Sequence, residues 1–600
     1  MSKGDLKTFR GKLFNHSYGK YRPRRRKTIK RKPVTDKNQG SMKEYKIKHL
    51  SIYKFDNQFE DKYRTALSSI VIDKFGKGPF NTQETVREII TFCYNYYCDR
   101  FIEVCKNETS LPFYQFVLSQ HEQAIEVAFF AKDSHFPDGI DRKYIALYRR
   151  ILKWILEEAC NIKLTNNVPS TGTFVNHSKE LLNELCFIGD MIFTCANIYA
   201  EQDMIEDVGE FIFDSESKYV IQHKHHYDII IGEIHNQLDS ISFKHVVDEE
   251  AVQDLKDVML NCFGINYDQF ASIIAEIHKA NSDKGGQYCP FGWDSLPKSL
   301  HSVYNADVQE AELLYEGLTL NKTNKIRLHD LVCKPLSLYR YLYRPITIWN
   351  IDGNEYAIIG KNAFTESIIQ LATNCIPWGK APKEWMAKKC FKDFIHNKED
   401  LHDKWLDDEV EKKLLKEGLN YHRNVTYLNS NTGSITLNLP NVGEIDFIII
   451  DHELKRIFIA DCKHLQGKYD MMAQKNDYTN FVKPQKGYNN QITNKLDFIL
   501  ANLEHLNFHN KEKYGQDIPD LNSYSLEGIF IINQPTFYMY NSDYRIYTID
   551  VFIDTIKNRI NDPELTVLID NEKDTKILNI GYPYFKKPDY TLLDLLEKEE

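Results

Sequence analysis

The sequence has no uninterrupted run of about 18 apolar residues, so we expect no transmembrane helix. No apolar stretch follows the charges at its beginning, and no secretory signal is expected. Its twelve cysteines include no Cys-x-x-Cys pair, which favours buried or incidental thiols in a reducing compartment over a zinc site or a disulfide framework. Repeats of fixed period are also absent. These absences predict a cytoplasmic protein without membrane contact.

Length and composition predict a folded protein with several domains. A chain of 600 residues with 42% hydrophobic and 13% aromatic content exceeds what one core can hold. Shifts in composition and loop signals divide it into five segments. These are a basic tail (1–41), a mostly helical domain (42–335), a hairpin-helix connector (336–390), an α/β domain (391–585) and an acidic tail (586–600).

The net charge of −9 conceals an asymmetry between the tail and the rest of the chain. Residues 1–40 contain fourteen Lys and Arg against Asp5 and Asp36, and this surplus of twelve positive charges leaves −21 for the remainder. A basic tail on an acidic body indicates contact with a polyanion. A solvated, disordered tail is the alternative.

Three short elements of the tail carry a resemblance. Gly4-Asp5, Arg10-Gly11-Lys12 and Tyr18-Gly19 with Arg22-Pro23 resemble the very short basic Thx peptide of the bacterial small ribosomal subunit. The resemblance covers about the first thirty residues and implies a contact with ribosomal RNA. Here a large body follows the peptide, which departs from that family. A natural fusion, a true start at Met42 and an engineered addition all stay open.

Helical spacing of apolar residues dominates the region before residue 335. The predicted helices are Thr85–Cys105, Gln115–Lys132, Arg142–Cys160, Lys179–Gln202, Glu249–Phe263 and Tyr267–Lys279. In the connector, alternating residues around Asp352-Gly353-Asn354 predict a hairpin, and a helix follows over Thr365–Asn374. Neither segment indicates a function.

The C-terminal region predicts a mixed α/β sandwich. A charged helix over Leu401–Glu417 ends at Gly418. The elements expected after it are strands at Asn424–Leu428 and Ser434–Leu439, a hairpin over 445–463, a polar loop over 466–486, a helix over Tyr488–Leu506, strands at Leu526–Ile532 and Arg545–Ile549, and a helix over Val551–Ile560.

Two carboxylates frame the predicted hairpin. Asp446 and Asp461 are equidistant from the turn centre between Glu453 and Leu454, so antiparallel pairing would set them nearly opposite each other. Lys463 lies two residues beyond Asp461 and therefore faces the same side of the sheet. Two acids and a lysine at a strand end suit Mg²⁺-dependent phosphodiester hydrolysis. Surface acids with a lysine as their ion-pair partner are the simpler alternative.

The C-terminal region resembles the PD-(D/E)XK nuclease superfamily in the order of four elements. These are a helix with glutamates, Gly443-Glu444-Ile445-Asp446, Asp461-Cys462-Lys463 and a helix with Gln491-x-x-x-Lys495. Within it, the chain is similar to nuclease-related and restriction-endonuclease-like proteins. The resemblance covers about 160 residues. It implies a restriction-endonuclease-like α/β C-terminal domain, preceded here by a largely α-helical N-terminal region.

The resemblance also implies residue roles. Asp446 and Asp461 would bind Mg²⁺ or Mn²⁺, and Lys463 would orient the attacking water. A helical glutamate would complete the metal site; Glu409 is the first choice and Glu411 the rival. Three further residues are implied near the phosphate, the water or a second metal: Gln491, Lys495 and Glu444. Cys462 is expected to point to the opposite face of the sheet.

These patterns predict a metal-dependent nuclease that acts on nucleic acid, with DNA favoured over RNA. Two alternatives stay open. One is a ribosome- or RNA-binding protein that uses residues 1–41 and carries a catalytically silent nuclease fold. The other is a degenerate nuclease fold that serves as an interaction module.

Overall fold

The computed structural model describes residues 42–560 except 81, 132–134, 167–170, 225–247, 284–290, 335, 432 and 469, with only the backbone of 171–173, 281–283, 565–570 and 575–580. The predicted basic tail (1–41) and acidic tail (586–600) lie outside the described residues. Ribosome or RNA contact through the basic tail therefore stays a prediction.

The N-terminal region is mainly helical, as its periodicity predicts. Its helices are Glu60–Phe75 (α1), Gln83–Asn107 (α2), Leu111–Phe130 (α3), Arg142–Ala159 (α4), Thr171–Met204 (α5), Glu249–Phe263 (α6), Tyr267–Asp283 (α7), Ser295–Tyr304 (α8), Val308–Gly317 (α9) and Leu328–Leu331 (α10). Its strands are Lys43–Ile47 (β1), Leu50–Lys54 (β2), Lys163–Leu164 (β3), Gly209–Phe213 (β4), Tyr219–His223 (β5) and Thr319–Leu320 (β6).

Helix α4 shows why these segments fold as helices. Its N-cap residue Asp141 accepts a hydrogen bond from the Tyr144 backbone N–H, which satisfies one of the free donors of the first turn. Ile145, Tyr148 and Leu152 follow at spacings of three and four residues and are buried. The helix therefore presents an apolar face to the core, and it also buries the charged residues Arg149, Glu157 and Glu158.

Helix α5 packs along α2 and α4 in the same core. By length and composition alone, its Phe174–Met204 stretch could cross a membrane. The lack of an uninterrupted apolar run in the sequence did not predict this. In the structure, 61% of the most apolar window of this stretch is buried inside the protein. That burial is typical of a core helix.

The predicted connector hairpin is confirmed as Ile346–Ile351 (β7) and Asn354–Ile359 (β8), and Lys361–Asn374 (α11) follows it. Asp352 and Gly353 both adopt positive φ at the turn, as a tight two-residue hairpin loop requires. Strand β7 also pairs in parallel with β3 and β6. The hairpin therefore completes a sheet of the N-terminal region and is not a separate connector.

The C-terminal region is built on a five-stranded mixed sheet. The strands of the whole C-terminal region, inside and outside this sheet, are Asn420–Val425 (β9), Tyr427–Ser430 (β10), Gly433–Thr436 (β11), Ile445–Asp451 (β12), Arg456–Lys463 (β13), Ser525–Ile532 (β14), Arg545–Thr548 (β15), Leu565–Asp570 (β16) and Thr575–Ile580 (β17). The sheet order is β15-β14-β13-β12-β9, with β12 antiparallel to both neighbours and β13, β14 and β15 parallel. β10–β11 and β16–β17 form separate hairpins.

Helices cover both faces of this sheet. The helices that follow α11 in the chain are Lys383–Met386 (α12), Lys389–Glu417 (α13), Met471–Val482 (α14), Tyr488–Ala501 (α15), Leu503–Tyr514 (α16) and Phe552–Ile556 (α17). α13 and α17 pack on the face that carries Phe447 and Phe458. α15 and α16 pack on the face that carries Ile448 and Ile459. Both faces of the hairpin are consequently apolar, as expected for a covered central strand pair.

Two predicted elements are wrong. The polar loop 466–486 contains α14, and the predicted helix 488–506 is two helices that meet at Asn502. The boundary at residue 391 falls inside α13. The first half of α13 packs with the N-terminal region through Phe391 and Ile395, and the second half packs under the C-terminal sheet through Leu406 and Leu414. The two regions thus share one helix.

One cysteine pair departs from the expected free thiols. Cys262 on α6 and Cys390 on α13 form a disulfide with a Cα–Cα distance of 5.9 Å. Nine other described cysteines carry free thiols, as expected. The disulfide joins the start of the shared helix to the N-terminal region.

Candidate active site

The hairpin β12–β13 brings the two predicted carboxylates together. Phe447 pairs with Ala460 and Ile448 with Ile459, and continuing this register by one step places Asp446 opposite Asp461. At the other end, Asp451 Oδ1 accepts backbone N–H bonds at 3.0 and 3.1 Å within the turn. This closure fixes the register, because a slip of one residue would exchange the two faces of each strand.

Asp461 is fully buried between two lysines. Its Oδ1 accepts a hydrogen bond from Lys495 Nζ at 2.5 Å. Its Oδ2 forms an ion pair with Lys463 Nζ at 3.2 Å. Lys463 Nζ also lies 4.8 Å from the ring centroid of Tyr488 at the start of α15. Each oxygen of this buried carboxylate therefore faces one ammonium group.

Asp446 is partly buried, and its Oδ2 accepts a hydrogen bond from the Cys462 backbone N–H at 2.7 Å. Burial, followed by the neighbouring Asp461 charge, raises the pKa of Asp446 to about 6. Burial alone would raise the pKa of Asp461 too, but Lys463 and Lys495 outweigh it and hold that pKa below its usual range. The two carboxylates differ in pKa, a pattern common at acid–base and metal sites.

The donor set suits a hard divalent cation. Mg²⁺ and Mn²⁺ bind carboxylate oxygens, and two facing carboxylates at adjacent strand ends offer such ligands. The charge of a cation would also remove the repulsion that raises the pKa of Asp446. Asp446 and Asp461 therefore fit the metal ion that the sequence implied.

The two predicted helical glutamates contact other residues. Glu409 pairs with Lys412 at 2.5 Å. Glu411 accepts hydrogen bonds from Tyr421 Oη at 2.8 Å and from Arg423 at 2.6 Å. A metal-ligand role for Glu409, with Glu411 as its rival, stays a prediction.

The helical acid that borders the site is Asp407, which the sequence did not single out. Its carboxyl lies within hydrogen-bonding reach of the Cys462 thiol and close enough to Lys463 to respond to its charge. Burial raises the pKa of Asp407, and those two neighbours oppose the rise. Cys462 faces away from Asp461 toward α13, as predicted, and contacts the core there.

The Gln491-x-x-x-Lys495 element is split by the structure. Lys495 contacts Asp461, whereas Gln491 Nε2 donates to the Lys486 carbonyl at 3.4 Å. Gln491 therefore binds the loop before α15 and not the carboxylates. Glu444 is exposed just before β12, at the entry of the strand.

A histidine cluster adjoins the site, and sequence reasoning missed it. His464 directly follows Lys463. Its ring stacks on that of His402, with ring centroids 3.6 Å apart and planes 8° from parallel. One possible ligand atom from each of His402, Asp403 and His464 lies within 4.8 Å of the other two. Parallel imidazoles direct their lone pairs side by side, not toward one point, and nitrogen ligands do not favour Mg²⁺. Burial, then His464, lowers the pKa of His402 to about 4. His402 and His464 are 62 positions apart in the sequence, so no short spacing motif could have indicated this cluster.

Comparison of the chain with protein-family models, curated proteins and solved structures finds no match. The function of the site must therefore be inferred from the chemistry of its own side chains.

Proposed function

We propose that the protein is a metal-dependent nuclease that hydrolyses phosphodiester bonds, with DNA as the favoured substrate. We propose further that its C-terminal region is a restriction-endonuclease-like domain of the PD-(D/E)XK type. One observation carries the proposal: two facing carboxylates, Asp446 and Asp461, lie at adjacent strand ends beside the ammonium groups of Lys463 and Lys495.

Each side chain has a distinct role in this proposal. Asp446 and Asp461 would hold Mg²⁺ or Mn²⁺, which when bound supplies an acidified water and neutralises phosphate charge. Lys463 places a fixed positive charge beside the carboxylates, where the phosphate would lie. Lys495 keeps Asp461 ionised, and this favours metal binding over protonation.

A purely structural ion-pair network accounts less well for the same contacts. Two carboxylates that face each other repel unless a cation lies close to both. Here Asp446 is placed opposite Asp461, and burial together with the Asp461 charge raises the pKa of Asp446 to about 6. This arrangement costs stability in the free protein, and a bound cation would relieve it.

The test is cleavage by the purified full chain. Single- and double-stranded DNA and RNA are incubated with Mg²⁺, Mn²⁺ or EDTA. We expect divalent-dependent cleavage of DNA, and a loss of at least about 100-fold in Asp461→Asn and in Lys463→Ala, because each removes a charge at the reacting phosphate. The matched control is Asp497→Asn on the exposed side of α15, which should leave the rate unchanged.

Calorimetric titration with Mn²⁺ separates a silent site from an active one. Binding that is lost in Asp461→Asn but retained in Asp497→Asn supports the metal site. A folded wild-type protein that binds no divalent ion, or cleavage that persists equally in both active-site variants, would remove the proposal.

A further inference from the structure

A second group of buried charges lies where the N-terminal region meets α14. Three of its cations, Arg149, Arg150 and Lys153, are on neighbouring turns of α4, and Arg340 approaches them from the segment before β7. Arg149 and Arg340 are each 7% exposed. We refer to these four residues as the junction cluster. None of them belongs to the proposed nuclease site.

The carboxylates near the junction cluster already have partners. Glu366 on α11 forms an ion pair with Arg149, and Asp470, the N-cap of α14, pairs with Arg150 at 3.1 Å. Glu157 Oε1 accepts the Tyr341 backbone N–H at 2.8 Å and lies 3.9 Å from Arg340 Nε. The three arginines of the junction cluster are therefore each paired with a carboxylate, and one cation of the cluster remains.

That cation is Lys153. Within the described part of the chain it makes no hydrogen bond and no ion pair. Arg149, Arg340 and Arg150 repel it, and the charges of Glu366 and Glu157 attract it. Burial, and then Arg149, lowers the pKa of Lys153 to about 7. An ammonium group among three guanidinium groups is unfavourable unless an anion joins them.

His121 gives a second, independent observation. Its ring, on α3, is 1% exposed, and neither ring nitrogen has a hydrogen-bond partner among the described residues. Burial, then the charges of Arg149 and Lys153, lowers its pKa far below the usual value, so the ring is neutral and offers one N–H donor. Such fully buried and unsatisfied polar groups are rare in folded proteins.

Solvent still reaches the cluster. Arg150 keeps 25% of its side chain accessible and Lys153 is also partly accessible, although protein surrounds both groups. A small solute can therefore approach these two cations beside Asp470, the N-cap of α14, which pairs with Arg150.

We propose that the junction cluster is a binding site for a phosphate group, either free or carried by a nucleotide. Lys153 and Arg150 supply charged donors, and the buried N–H of His121 supplies a neutral one. Arginine and lysine donors to phosphate oxygens are the strongest hydrogen bonds available to such a ligand. The site is independent of the nuclease proposal, since it shares no residue with it.

The experiment is calorimetric titration of the full chain with inorganic phosphate and, separately, with ADP, in EDTA at low ionic strength. We expect saturable binding at one site. Lys153→Met should weaken it by about 10- to 100-fold, because one charge-assisted contact is lost. Lys143→Met, an exposed lysine of the same helix, is the control and should change affinity less than twofold. Tighter binding of ADP than of phosphate would assign the group to a nucleotide.

Thermal unfolding of the wild type provides a measurement that needs no variant. Phosphate should raise its midpoint above that in chloride of equal ionic strength, since a ligand that binds only the folded state stabilises it. Failure of wild type to bind either probe would overturn the site. Equal affinities of wild type and Lys153→Met would do so as well.

Discussion

Replacement of Asp446 by asparagine should make the protein more stable while it abolishes metal binding. The side chain keeps its size, and its amide oxygen can still accept the Cys462 backbone N–H that Asp446 Oδ2 accepts at 2.7 Å. The negative charge that faces Asp461 disappears.

The magnitude follows from the raised pKa of Asp446. Its pKa lies near 6 in the folded protein against 3.8 for the free side chain, so the folded state binds the proton more tightly than the unfolded state. Two pKa units correspond to about 3 kcal/mol. This stabilisation is present below about pH 4 and is lost as the pH rises through about 6, where the ionised form must be buried. Above about pH 6 the asparagine variant avoids that cost.

The assay compares thermal unfolding of wild type and Asp446→Asn from pH 4 to 7.5 in EDTA. With about 2–4 °C per kcal/mol for a region of this size, the variant should melt roughly 6–12 °C higher near neutral pH. The two midpoints should converge near pH 4. The titration of Asp461 occurs in both proteins and largely cancels in the comparison. A variant that is less stable than wild type at pH 7.5, or a difference that does not change with pH, would refute this account of the carboxylate pair.

Three further outcomes are expected. Lys495→Met removes one partner of a buried ion pair and should lower the free energy of unfolding by about 3–5 kcal/mol in EDTA. Mg²⁺ should raise the melting temperature of this variant more than that of wild type. An equal rise in both proteins would contradict a shared cation site. Asp407→Asn should slow DNA cleavage at least about tenfold because the charge of Asp407 acts on Lys463. Glu409→Gln should leave the cleavage rate unchanged. A rate loss in Glu409→Gln but not in Asp407→Asn would favour the glutamate that the sequence suggested. Gln491→Ala should change the cleavage rate less than about twofold, since its amide binds only the Lys486 carbonyl; a larger loss measured under single-turnover conditions would place it at the phosphate.

The sequence predicted the hairpin well because its signals are local. The carboxylates are symmetric about a polar turn, and apolar runs on both sides require a covered strand pair, so register and facing residues follow from counting. The helix that ends at Gly418 is also local: the glycine adopts a left-handed conformation with φ of 67° just after the last turn.

Features that depend on tertiary packing could not be predicted in this way. Helix α14 is short and largely polar, and its burial comes from packing against α5, which is distant in sequence. The choice among Asp407, Glu409 and Glu411 depends on the rotation of α13 about its axis. Each residue turns the helix by about 100°, so an error of two positions moves the side chain to another face. Ion pairs with Lys412 and Arg423 then settle where the glutamates lie.

The shared helix α13 limits how the chain can be divided. A fragment that starts at residue 391 would expose Phe391 and Ile395, because most apolar residues of their cluster belong to the discarded part. A fragment that starts after residue 400 would keep Leu406 and Leu414 beneath the sheet but would lose the Cys262–Cys390 link. Heat or denaturant that unfolds one half of this helix also destabilises the other half. The N-terminal and C-terminal regions should therefore unfold in a coupled transition and not independently.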